Sequence, residues 1–269
     1  MKNRFTASAV IVLGIVIFVG IFAPLLTNFN PNDTIPEDRL LAPGGAHYFG
    51  TDELGRDIFT RIIFAVRVSV GIAFFSIFLA ALVGTFIGSF SGYVSGWLDQ
   101  VIMRVTDVLL AFPTLVLALA LSAALGPNIL NAALAIAIVK VPIYMRLART
   151  QSLTISQSLY VKSAKTYGAK SNWIVKRHIV PNLLTPIIVQ ITLDIGDAIL
   201  LIATLGFLGL GAQPPTAEWG AMISTGWNYL IDQWWYPTFT GAAIFVTVMA
   251  FNIIGDGVRD LLDPKAGTK

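Results

Sequence analysis

The chain has no cysteine and only two histidines in 269 residues. Without cysteine there is no disulfide framework, no thiol nucleophile and no thiolate metal site. Charge is equally scarce: Asp, Glu, Lys and Arg make up 12% of the residues, about half of the ~25% carried by a soluble domain. Hydrophobic residues reach 55% and the mean hydropathy is +0.74, proportions that argue against a cytosolic enzyme. No G-x-x-x-x-G-K-[ST] phosphate loop occurs, and the glycines of Gly206–Gly211 do not follow a soluble strand, so ATP is not bound by that route. No serine, cysteine or histidine arrangement suited to nucleophilic catalysis stands out.

What the chain does have is long uncharged runs. A helix needs roughly 20 apolar residues to cross ~30 Å of hydrocarbon, and six runs approach that length. The first, Phe5 to Leu26, follows Lys2 and Arg4 and reads as a retained span rather than a signal peptide, because it exceeds a usual signal core and no small-x-small cleavage pattern follows. Val68 to Tyr93 gives 26 residues without a charge. Val105 to Leu125 is interrupted by Asp107 and Pro113; Gly126-Pro127 then turns the chain into Ile129 to Met145. Leu183 to Leu210 and Pro237 to Ile254 complete an all-α membrane protein of six transmembrane helices. Residues 1–67 form a first helix plus an external segment, and residues 68–269 a transmembrane domain that contains a polar loop over 146–182.

Basic residues orient such a chain, since they are retained on the cytoplasmic side. With the N-terminus inside, Lys2, Arg4, Arg104, Arg146, Arg149, Lys162, Lys165, Lys170, Lys176, Arg177, Arg259, Lys265 and Lys269 fall inside, 13 of the 18 basic residues. The segment from Asn28 to Arg67 lies outside, with Arg39, Arg56, Arg61 and Arg67 against six acids. Both termini are thus expected in the cytoplasm. The net charge of +3 serves orientation against an anionic leaflet rather than nucleic-acid binding. This topology puts His47 and His178 on opposite sides, which excludes a histidine metal site within one chain.

Inside the spans, Gly84, Gly88, Gly92 and Gly96 recur every four residues, a small-residue seam that lets another backbone approach. Pro113 and Pro142 sit in adjacent spans where each can kink its helix. Intramembrane charges are expensive and are usually functional or paired. Asp107 and Lys140, on adjacent spans, are expected to neutralise each other, and Asp256 to pair with Arg259. Asp194 and Asp197 share a helix face and either line a hydrated cavity that receives a cationic group or anchor a neighbouring helix. Asp107, Asp194 and Asp197 are therefore the candidates for a translocation path. In the external loop at 209–236, Trp219, Trp227, Trp234 and Trp235 face a partner or the membrane interface.

The stretch from Arg146 to Pro181 holds seven basic residues and no acid. Its pattern predicts a short helix from Leu159 to Tyr167 with Tyr160, Val161, Ala164 and Tyr167 near one face, stopped by Gly168. Ser171 is placed to cap a second helix running to Pro181. A short amphipathic helix between two spans suits docking in a groove of a soluble partner; otherwise it lies on anionic lipid.

This loop resembles the signature of the membrane subunits of binding-protein-dependent ABC importers: Glu-Ala-Ala, three residues, Gly, nine residues, Ile-x-Leu-Pro. Here it reads Lys162-Ser163-Ala164, then Gly168, then His178-Ile179-Val180-Pro181. Ala164, Gly168 and Pro181 match at the required spacing, whereas Lys162 replaces the family's Glu. The segments Gly50–Asp57, Gly206–Gly220 and Gly255–Pro264 are similar to the C-type permease subunit of the dipeptide, oligopeptide and nickel branch. The resemblance spans almost the whole chain. It implies the permease fold with a short cytoplasmic coupling helix, and a pore-forming subunit without catalysis of its own, in a bacterial or archaeal cytoplasmic membrane. The implied partners are a second, B-type permease subunit, two cytoplasmic ATPase subunits that hold ATP and Mg, an external substrate-binding protein and the lipid bilayer; no cofactor is expected on this chain. The implied ATPase-docking residues are Tyr160, Val161, Lys162, Ser163, Ala164, Tyr167, Gly168 and Ala169. Peptides are the expected substrate, with nickel or a metal chelate as the alternative. From the residues alone, an ion-coupled secondary transporter or channel using the aspartates remains the rival.

Overall fold

The computed structural model describes residues 2–262, so Lys265 and Lys269 and the end of the Gly255–Pro264 motif lie outside the described residues. The elements are all helical: α1 (Lys2–Ile21), α2 (Ala23–Leu26), α3 (Ile58–Val94), α4 (Gly96–Ala111), α5 (Thr114–Leu125), α6 (Ile129–Ser156), α7 (Leu159–Thr166), α8 (Ser171–Ile174), α9 (Val180–Phe207), α10 (Trp219–Trp227) and α11 (Trp235–Leu262). Among the described residues, five helices are long and apolar enough to cross a membrane singly, and α4 with α5 forms a sixth candidate bent by 96° at Phe112-Pro113. The third span is thus not one straight helix. Pro113 has no amide proton to donate and disfavours the helical conformation at Phe112, so the chain stays extended there before it restarts.

Neighbouring helices fix how many times the chain crosses. A Cβ on Gly84 would lie 2.6 Å from the Val141 carbonyl, one on Gly88 would collide with the Met145 carbonyl, and one on Gly92 would lie 2.6 Å from the Arg149 carbonyl. Advancing along α3 therefore advances along α6, and the two helices run parallel. Ser152 Oγ donates to the Ser89 carbonyl across the same seam at 2.8 Å. Parallel neighbours require the intervening α4–α5 pair to bring the chain back to the end from which α3 began. In lipid, where apolar side chains gain nothing by leaving their solvent, such close backbone packing is a main source of helix association. Gly96 does not join the seam: it opens α4 at φ +79° with open space around it.

α3 begins at Ile58, ten residues before the expected span, so the boundary at 67/68 falls inside a helix. The segment that precedes α3 explains the early start. Asp57 caps α3 by accepting from the Thr60 amide at 2.7 Å. Asp52 accepts from the Leu54 and Arg56 amides at 2.9 and 3.0 Å and from Arg56 Nε at 2.6 Å. His47 Nδ1 hydrogen-bonds Asp57 at 2.9 Å, and Arg61 donates to the Pro31 carbonyl at 2.6 Å. Gly50 and Gly55 both sit at φ +75°, and a Cβ on Gly55 would overlap the Ile35 carbonyl. The Gly50–Asp57 motif is thus the folded turn that launches α3. Arg67, nearly three turns further along α3, donates to the Gly20 and Ile21 carbonyls at 2.6 Å each and closes the end of α1.

The first apolar run is divided into α1 and α2 rather than continuous to Leu26. α1 packs on α11 and α3, but most of it is exposed, leaving Phe5, Ile11, Ile15 and Phe18 on an outer face. α8, a π-helical turn at Val175–Ile179 and α9 make one uninterrupted 37-residue helix. The expectation of a helix ending at Pro181 is corrected here: the wider π turn relieves the clash that the Pro181 ring makes with the carbonyl four residues earlier, and Asn182 Nδ2 donates to the His178 carbonyl at 2.6 Å. At the far end, Glu218 caps α10 through the Gly220 and Ala221 amides at 2.8 and 2.9 Å. Trp219, expected to face outward, is 1% exposed and donates Nε1 to the Ile62 carbonyl at 3.1 Å, whereas Trp227 and Trp234 are exposed. Gly257 meets Thr6, which brings the start of α1 and the end of α11 together at the end of the bundle opposite α10.

Candidate functional site

Two residues after α6 ends, α7 begins with Ser158 as its N-terminal flank. The Ser158 hydroxyl turns back to the Ile155 carbonyl at 2.6 Å instead of capping α7. The helix ends as its sequence requires. Gly168 is at φ +82°, its amide donates to the Lys165 carbonyl at 3.0 Å, and the Ala169 amide reaches the Ala164 carbonyl at 3.1 Å, the paired bonds that close a helix on a left-handed glycine. Val161 is buried, and Ala164 and Ala169 pack partly against the core. Lys162, Ser163 and Gly168 are exposed. The expected single face is divided: Val161 and Ala164 hold α7 to the bundle, while Tyr160 and Tyr167, the latter 91% exposed, point away with Leu159.

Beyond α7, Ser171 does not cap. Lys170 precedes α8 in extended conformation with no side-chain cap bond. Tyr160 and Trp173 flank His178, with ring centroids 5.7 and 5.1 Å away, so the two halves of the loop touch through aromatic edges. Lys170, Asn172, Trp173, Lys176 and Arg177 line an open recess beside them. The result is a protruding element with an apolar underside and a basic, aromatic outer surface.

The intramembrane charges pair differently from expectation. Lys140 does not meet Asp107; its Nζ donates to Asp194 at 2.8 Å and to Asp197 at 3.1 Å. The reason is register, since Lys140 lies midway along α6, opposite the middle of α9. Asp107 instead accepts from Arg146 at 2.5 Å in a half-exposed pair. Among the described residues no ion pair joins Asp256 to Arg259; Asp256 lines a large groove of 790 Å³ between α9 and α11.

Residues 84–268 match the family described as binding-protein-dependent transport system inner membrane component. The chain belongs to this family. The probable D,D-dipeptide transport system permease protein DdpC of Escherichia coli K12 is 50% identical over 264 residues, covering 98% of this chain and 89% of that protein. The dipeptide transport system permease protein DppC of Alkalihalophilus pseudofirmus is 46% identical, covering 98% and 87%, and the glutathione transport system permease protein GsiD of Escherichia coli O6:K15:H31 is 41% identical, covering 98% and 88%. A chain from the MetNI methionine ABC transporter, solved in inward-facing conformations, superposes with a TM-score of 0.59 over 76% of this chain and 96% of its own, at 14% identity. It therefore shares the fold.

One polar site of this transport component was not singled out from the sequence. Asp99, buried in the first turn of α4, accepts from Arg149 Nε and Nη2 at 2.6 Å each and from Ser91 Oγ at 2.6 Å. The bidentate pair ties α3, α4 and α6 together at the α7 end of the bundle. Its signal was present in the arginine at 149, which orientation alone accounted for, and in an acid three residues after Gly96.

Proposed function

We propose that this permease is one half of the translocation pore of an ATP-driven importer for di- or oligopeptides. A second, homologous permease subunit supplies the other half, and an external binding protein delivers substrate to the Asn28–Arg67 end of the bundle. Hydrolysis of ATP belongs to two separate cytoplasmic subunits. The reading that both termini and α7 face the cytoplasm rests on the basic residues gathered there, against the acids of the opposite segment.

The observation that carries the proposal is α7 itself. It is a short helix glued to the bundle by Val161 and Ala164, with Tyr160 and Tyr167 turned outward, placed directly after a span. Such an element receives a push from a soluble partner and passes it to packed helices that have two arrangements. Lys162, Ser163, Gly168 and Ala169 complete the docking edge. The dipeptide and glutathione permeases, at 41–50% identity, favour peptide over nickel as cargo.

The test is uptake of labelled peptide by the complete complex in liposomes. Uptake is expected to require ATP and the binding protein and to survive collapse of ion gradients; gradient-driven, ATP-independent uptake would replace the importer with a secondary transporter. Ala164→Arg, which forces a long cation against the bundle, and Gly168→Pro, which cannot adopt φ +82°, are expected to abolish uptake while the ATPase subunits still hydrolyse ATP or fail to assemble. Normal uptake in both variants would remove α7 from the mechanism.

A further inference from the structure

Midway along α6 and α9, two carboxylates share one ammonium. Lys140 is 3% exposed and donates to Asp194 and Asp197. Asp194 is fully engaged, with Lys140 on Oδ1 and Gln190 Nε2 on Oδ2 at 3.0 Å. Asp197 offers only Oδ2 to Lys140; among the described residues its Oδ1 accepts nothing, and its side chain is 68% exposed. The trio therefore carries an uncompensated negative charge. One turn along α6, the buried Tyr144 hydroxyl also lies beside Asp194.

Depth turns this into a constraint. Asp197 is ten residues from the end of α9 at Phe207, about 15 Å at 1.5 Å per residue, and so near the middle of ~30 Å of hydrocarbon. An exposed carboxylate at that depth does not face lipid. The face of α9 that carries Asp197 must meet water or a charged group. The donor set is wrong for a metal: one open carboxylate oxygen, no cysteine in the chain, and no cluster of three metal-binding side chains among the described residues. It suits a hydrogen-bonding monocation.

We propose that Asp197 is the water-facing half of a cation subsite in the translocation path, taking the α-ammonium group of a passing peptide while Lys140 remains on Asp194. The substrate class rests on the peptide-import reading above; the water-facing position does not. The ammonium donates to Asp197 Oδ1 and offsets the residual charge. Asp194 keeps Lys140 paired throughout, so no buried ammonium is left alone, and release costs only the one exposed contact.

Two measurements on the complete complex in liposomes separate these claims. The chain lacks cysteine, so Asp197→Cys introduces a single thiol, read by the mass of this chain. A thiolate forms in water and not in hydrocarbon, and about tenfold faster reaction with a cationic methanethiosulfonate is expected at Asp197→Cys than at Ile11→Cys on the outer apolar face of α1. Equal, slow reaction at both would overturn the water-facing position. For the ligand, ATP-dependent uptake of trialanine and N-acetyl-trialanine is compared in each variant, so that any preference of the binding protein cancels in the ratio. Asp197→Asn is expected to lower trialanine uptake about tenfold, the loss of one charge-assisted hydrogen bond, and to leave the acetylated peptide unchanged, with Asp197→Glu restoring the preference. A ratio unmoved by Asp197→Asn would overturn the subsite, and so would an Asp197→Glu variant that assembles without the preference. Absence of ATP-dependent uptake of either peptide by the unaltered complex would overturn the import reading and the ligand with it, leaving the thiol result to stand or fall separately.

Discussion

Single positions decide whether the bundle closes. Gly88 faces the Met145 carbonyl so closely that any Cβ must displace backbone, whereas Gly71, in the same helix, faces open space. Gly88→Val is expected to destabilise the protein by about 1–3 kcal/mol through overpacking, and Gly71→Ala to be neutral or slightly stabilising, compared as thermal midpoints in detergent. Glu218 makes a second residue-scale prediction. Burial pushes its carboxyl above the ordinary range, against the pull of the two amides and Ser69 that bond it. The folded state therefore keeps the proton to higher pH than the unfolded chain, so its contribution is complete below the unfolded value of ~4.3 and fades as pH rises through the raised one. Glu218→Gln is expected to flatten the fall of thermal stability between acidic and neutral pH; an unchanged slope would assign that fall to other groups. The glycine seam was legible because small residues four apart share a helix face. The Lys140 partners were not, since sequence gives each charge its depth along a span but not which neighbouring helix it faces.

At the scale of elements, the span count was readable from uncharged runs, while their ends moved. α3 starts ten residues early because Asp57 caps it and the preceding turn folds onto it, contacts between residues that hydropathy does not weigh. The break at Phe112-Pro113 was marked by its proline, but the 96° turn depends on how α5 packs against α6 and α9. α7 was visible nearly to the residue, because an amphipathic turn and a terminating glycine are local signals. The tie between α4 and α6 is the element-scale prediction. Asp99→Asn and Arg149→Met each cost about 1.5–3 kcal/mol if the buried bidentate pair contributes as charged hydrogen bonds do, and the double variant costs less than the sum of the two. Strict additivity in urea or thermal denaturation would show that the pair does not couple these helices.

For the whole molecule, orientation is the statement that labelling can check. Tyr48 and Tyr167 are both strongly exposed and lie at opposite ends of the bundle. In sealed right-side-out vesicles, an impermeant thiol reagent is expected to modify Tyr48→Cys and to spare Tyr167→Cys until the membrane is opened; the reverse pattern would invert the topology. The parallel course of α3 and α6 has a mechanical consequence. α7 is joined to α6 by two residues, and α6 is locked to α3 along a seam of bare backbone that leaves no slack for sliding. The pair is in effect a pushrod about 55 Å long, the 37 residues of α3 at 1.5 Å each, with its near end beside α7 and its far end pinned by Arg61 and Asp57 to the turn that precedes α3. If α7 docks the ATPase subunits and the Asn28–Arg67 end receives cargo, as proposed, a stroke delivered at Tyr167 arrives at the opposite membrane face as displacement of that turn, and doorway and motor share one stiff part.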